Sequence, residues 1–113
     1  MTSSRKAAIQ AYKERKAPRG IFAMRCRATG KVWVDSAMDL EAAQNRMWFS
    51  LRHGGAHVEK TILREFQSYG QELFTYEILE KFEDDVAPLA LNDLLKERKL
   101  HWLTELNAQK LSP

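Results

Sequence analysis

The sequence has one cysteine, Cys26, so no disulfide forms within the chain and no thiolate-rich metal site is available to it. No apolar run approaches the roughly 20 residues that a membrane-spanning helix needs. The segment from Met1 to Lys16 is polar and basic, without the apolar stretch and cleavage site of a secretory signal. These absences lead to the expectation of a soluble chain in the reducing cytoplasm, with no membrane partner. Internal repeats and low-complexity segments are also absent, which sets aside solenoid and linker architectures. What is there is ordinary for a globular protein: 113 residues, 44% hydrophobic and 29% charged. Two independent cores would each be too small at this length, so one main folded domain is expected.

The net charge of +3 conceals an uneven distribution. Residues 1–31 hold nine Lys/Arg against one acid, Glu14, whereas the remainder holds nine basic and fourteen acidic residues. The first part is therefore at +8 and the rest at −5. A concentrated cationic segment is the electrostatic footprint of a polyanion partner, because neutralising phosphates releases condensed counterions. The same composition also suits a solvated tail, or a segment that docks on an acidic protein partner.

Periodicity supplies the element order. Ser3 or Ser4 is placed to cap a helix that runs to Lys16, and Pro18 and Gly20 stop it. From Gly20 to Arg27, Phe22, Met24 and Cys26 alternate with Ile21, Ala23, Arg25 and Arg27, which predicts a strand. Thr29-Gly30-Lys31 marks a tight turn into the β-rich Val32-Trp33-Val34. Asp39 is a good N-cap for a helix with Leu40, Ala43, Met47 and Leu51 on one face, broken at Gly54-Gly55. Val58, Ile62, Phe66 and Tyr69 repeat that spacing up to Gly70. Leu73 to Leu79, with Phe74, Tyr76 and Ile78 on one face, reads as a third strand. Asp84-Asp85 and Pro88 open a last helix with Leu91, Leu94, Leu95, Trp102 and Leu106 as its apolar stripe. The expected class is α+β: a small three-stranded antiparallel sheet flanked by helices, in the order α-β-β-α-α-β-α. Residues 1–19 read as a basic N-terminal helix or arm, 20–107 as the domain and 108–113 as a tail.

Gly20-Ile21-Phe22, followed by Trp33-Val34-Asp35-Ser36, resembles the paired Gly-Ile-Tyr and Tyr-Ile-Gly segments that name the GIY-YIG nucleases. Asp39-Leu40-Glu41-Ala42, Asn45-Arg46, Tyr69-Gly70, Glu97-Arg98 and Glu105-Leu106-Asn107 continue the likeness in order. The resemblance implies a GIY-YIG nuclease-like domain that cuts nucleic-acid phosphodiesters with one divalent metal, Mg2+ or Mn2+. It also implies which positions matter: the two motif tyrosines fall on Phe22 and Trp33, the motif glycine on Asp35, the helix arginine on Ala43 and the metal-binding glutamate on Lys99. All five depart from the family pattern.

Each departure has a chemical meaning. A phenyl or indole ring cannot take a proton from the attacking water, as a tyrosine hydroxyl can. Ala43 offers no fork to a charged phosphate, and losing one such preorganised donor typically costs about a hundred- to a thousandfold in rate. Lys99 would repel the ion that a carboxylate binds. Neighbours offer substitutes. Arg46 lies three residues after Ala43 on nearly the same helix face, His57 occupies a loop position where related nucleases often carry histidine, and Asp35 or Glu97 supplies a carboxylate. Glu97 is the candidate metal ligand, although two residues before Lys99 it points about 200° away around a helix. Arg46 equally suits a surface ion pair with Glu41, and His57 a solvated loop. Arg19, Arg25, Arg27 and Lys31 are the expected nucleic-acid contacts, with DNA the expected polymer. Three functions remain open from sequence: a nucleic-acid-binding domain with weak or lost hydrolysis, a rewired metal-dependent DNA endonuclease, and a protein-interaction module.

Overall fold

Strands β1 (Arg19–Cys26) and β2 (Val32–Ala37) form the expected antiparallel hairpin in a computed structural model that describes residues 18–54, 58–82 and 88–111. Gly30 turns the chain at φ +78°, and its N–H donates to the Cys26 carbonyl at 2.8 Å. Helix α1 (Leu40–Arg52) begins at Asp39, whose carboxylate accepts from the Ala42 N–H at 3.0 Å. Helix α2 (Lys60–Tyr69) begins at Glu59, which accepts from the Thr61 N–H at 2.7 Å and from the Thr61 hydroxyl. The hydroxyl bond is the largest influence on this carboxyl and, with the backbone N–H groups, holds it below its ordinary value against partial burial. A short 3₁₀ turn (Gln71–Leu73) leads into strand β3 (Phe74–Phe82), then helix α3 (Pro88–Glu105) and strand β4 (Gln109–Lys110). The helix expected up to Lys16 and the Asp84-Asp85 pair lie outside the described residues.

The sheet has four strands among the described residues, not the three expected, in the order β3-β1-β2-β4. The first three pair antiparallel; β4 adds parallel to β2, with Gln109 opposite Trp33 and Lys110 opposite Val34. Two polar residues carry no alternation, so nothing in the pattern announces β4. Its neighbour Leu111 is buried, donates its N–H to the Val34 carbonyl at 3.2 Å and accepts from the Glu59 N–H at 2.8 Å. Within the segment read as a tail, Leu111 thus packs into the core and ties β2 to the start of α2.

Strand β1 is central, and Ile21 to Met24 are all buried. Phe22, Met24, Cys26, Trp33 and Leu111 pack under α1 and α2, while Ile21, Ala23, Val32 and Val34 pack under Leu91 and Leu95 of α3. Gly20 is required by proximity, since a Cβ there would sit 1.8 Å from the Glu80 carbonyl oxygen. Just beyond it, a bulge shifts the register so that Ile21 faces Glu80 and Phe22 faces Ile78. Ile78, expected on the buried face with Phe74 and Tyr76, is exposed on this edge strand. The Glu80 carboxylate then accepts from Arg98 Nε at 2.8 Å and Trp102 Nε1 at 2.9 Å, clamping α3 to the sheet. Burial raises the Glu80 carboxyl, but the Trp102 and Arg98 bonds with the charges of Arg98 and His101 outweigh it, and the net direction is down.

Two outcomes follow from this packing. Leu111→Ala removes a buried side chain that two elements enclose and is expected to lower unfolding free energy by about 2–5 kcal/mol in denaturant melts. A carboxyl lowered by folding contributes stability above its unfolded pKa and loses it as pH falls through the folded value. The stability gap between wild type and Glu80→Gln should therefore be constant from neutral pH down to about pH 5 and close below the ordinary carboxylate value of 4.5, as read by unfolding at a series of pH values.

Candidate active-site cleft

The two motif segments meet on the sheet. Phe22 of β1 lies opposite Asp35 of β2, and the Leu40 N–H at the start of α1 donates to the Pro18 carbonyl at 2.8 Å. Helix α1 is thereby set across the strand ends, and its periodicity aims Ala43 and Met47 at the sheet with Arg46 and Ser50 beside them. Together these elements enclose a cleft of about 190 Å³. Its floor is apolar: Phe22, Ala43, Met47, Val58 and Leu111. Its polar lining is Asp35, Ser36, Arg46 and Ser50.

Two of the positions that the resemblance singles out lie in the apolar floor of this cleft. Phe22 and Ala43 are only 3% and 1% exposed, and neither side chain carries a polar group. Phe22 stacks on Tyr76, with ring centroids 5.1 Å apart and planes at 27°. Tyr76 does not replace the missing hydroxyl. Its OH donates to the Leu40 carbonyl at 2.6 Å, and burial first, then the Asp39 charge, pushes its pKa up to about 12, with Arg46 opposing. Trp33 is fully buried away from the cleft lining, donates its indole N–H to the Thr61 hydroxyl at 3.0 Å and stacks on Phe74.

The charges are arranged differently from a simple reading of the sequence. Lys99 Nζ lies 3.0 Å from Asp35 Oδ1, and both side chains are largely buried. The same oxygen accepts from the Ser36 N–H at 2.8 Å. The residues present do not fit a divalent cation: the carboxylate at the cleft faces an ammonium, and among the described residues no three His, Cys, Asp or Glu side chains group to hold a metal. Glu97 is exposed on α3 and does not line the cleft. His57 lies outside the described residues.

Arg46 and Asp35 line one cleft, and Arg46 stays exposed, with no ion pair to it among the described residues. The four cations named as nucleic-acid contacts sit elsewhere. Arg25 pairs with Glu77 at 2.7 Å, Lys31 with Glu65 at 3.0 Å, and Arg27 donates to the Glu72 carbonyl at 2.7 Å. Arg19 is buried at the start of β1. Leu111, Ser36, Ser50 and the Asp35–Lys99 contact were missed by sequence reasoning. The last had a visible signal, opposite charges at two motif positions.

The sequence matches no protein-family profile and no curated protein. Among solved structures, it is similar to the catalytic domain of the homing endonuclease I-TevI, with 32% identity and a TM-score of 0.67 over 79% of this chain and 88% of that one. A glutamate-to-alanine mutant of the same catalytic domain, described as that of an intron endonuclease, gives 30% identity and a TM-score of 0.64 over 80% of this chain and 84% of that one. With that identity across most of both chains, and with the two motif segments side by side on β1 and β2, the chain belongs to the GIY-YIG nuclease family.

Proposed function

We propose that this domain binds nucleic acid, with DNA the first candidate, and no longer hydrolyses it. The observation that carries this reading is the cleft itself: Phe22 and Ala43 form an apolar floor where the reaction needs a proton acceptor and a phosphate clamp, while Arg46 stands exposed at the polar lining. An exposed guanidinium suits a phosphate without activating water. The charge excess of residues 1–31 adds a second, sequence-independent attraction. Because Arg25, Arg27 and Lys31 are engaged by protein groups, the phosphate contacts are assigned to Arg46 and the cationic segment from Arg5 to Lys16.

A rewired nuclease is the second reading, and one observation favours it: Arg46 and Asp35 line the same cleft. The engagement of Asp35 by Lys99 weighs against it.

Affinity for a fluorescent DNA duplex, measured across a salt series, tests binding. Arg46→Ala should weaken it and lower the log–log salt slope by about 1, and removing Met1 to Lys16 should lower the slope by about 0.9 for each phosphate that the arm neutralises. No binding at low salt would turn the reading toward an acidic protein partner.

Catalysis is tested by nicking of supercoiled plasmid in magnesium and in manganese. Wild type should stay at background. Phe22→Tyr, Ala43→Arg and Lys99→Glu act as a unit, so each alone should return little and only the triple variant should cut measurably. Metal-dependent nicking by wild type that Arg46→Ala abolishes would establish the rewired nuclease instead.

A further inference from the structure

Two of the five departures from the family motif are charged, and they are each other's partners. Asp35 stands at the motif glycine near the end of β2, Lys99 at the metal-binding glutamate in the middle of α3, and their charged atoms meet at 3.0 Å. Each side chain is less than a quarter exposed. An ammonium so placed needs a counter-charge, since an unpartnered half-buried ion is expensive, and the carboxylate that supplies it arises at the position where the family carries no side chain. Divalent cations of the magnesium class need carboxylate oxygens free of competing cations. Asp35 Oδ1 is ion-paired with the Lys99 ammonium and accepts from the Ser36 N–H, and a metal beside Lys99 would meet a positive charge at close range.

We infer that the Asp35–Lys99 ion pair has taken the place of the metal: the charge of Asp35 at the cleft is balanced by Lys99 reaching it from α3, the site takes up no divalent cation, and the cleft engages a phosphodiester independently of magnesium. Lys99 is the residue that decides this. With Lys99→Glu, two carboxylates face each other across the same gap, and their repulsion is relieved by a divalent cation. The statement about phosphodiester binding rests on the function proposed above; the statement about metal does not.

The test uses the full chain and manganese alone as the probe. Free Mn2+ is followed by electron paramagnetic resonance, and melting is compared in manganese and in chelator. Wild type should leave Mn2+ free and melt at the same temperature in both. Lys99→Glu should bind about one Mn2+ per chain and melt higher with the metal, since a ligand bound only by the folded state stabilises it. Lys99→Met, which removes the pair without adding a carboxylate, should bind none. Stoichiometric Mn2+ uptake by wild type that is abolished in Asp35→Asn overturns the inference, and so does a folded Lys99→Glu variant that ignores manganese. If Lys99→Glu does not fold, the wild-type titration and Lys99→Met decide.

A separate measurement compares affinity for the DNA duplex in chelator and in magnesium at matched ionic strength. Agreement within about twofold is expected, and strengthening by magnesium of about tenfold overturns metal independence. Absence of DNA binding in both would overturn the nucleic-acid reading, while the manganese result still decides the role of the pair.

Discussion

Everything in this domain depends on β1 being paired on both sides at once. Its central residues are buried, and at Gly20 the neighbouring strand comes so close that a single methyl group would collide with the Glu80 carbonyl. Hydrogen-bond pairing fixes β2 and β3 against β1, and alternation of side chains sends one set under α1 and α2 and the other under α3. Because Phe22 and Asp35 are partners in that ladder, the sheet sets one wall of the cleft. A fold fixed in this way does not by itself dictate the chemistry of the side chains at the cleft.

Much of the architecture was legible because its signals are local. Gly30 turns the hairpin, Asp39 caps α1 through its own side chain, and Leu40, Ala43, Met47 and Leu51 are buried together as their spacing requires. What escaped is set by contacts between distant segments. The two-residue β4 has no period to detect, and the bulge opposite Ile21 and Phe22 that accompanies the exposure of Ile78 exists only once β3 is paired. The cations of 19–31 show the same limit at the level of function. Counting charge identified a basic stretch, but the acids that engage Arg25 and Lys31 lie 52 and 34 residues further along the chain. A count of charges cannot reveal which of them are already neutralised in the fold.

The residues at the positions of the resemblance were readable one by one. Their relation to one another was not. That Asp35 and Lys99 meet, that Phe22 rests on a phenol committed to the Leu40 carbonyl, and that Leu111 closes the floor are facts of tertiary structure.

The Asp35–Lys99 contact also shapes the routes by which this sequence can change. Exchanging either residue alone for its motif counterpart leaves a mostly buried charge facing nothing, or facing a like charge, so each first step leads through a less stable protein. The two positions are thus coupled: which side chain is tolerated at one depends on the side chain at the other.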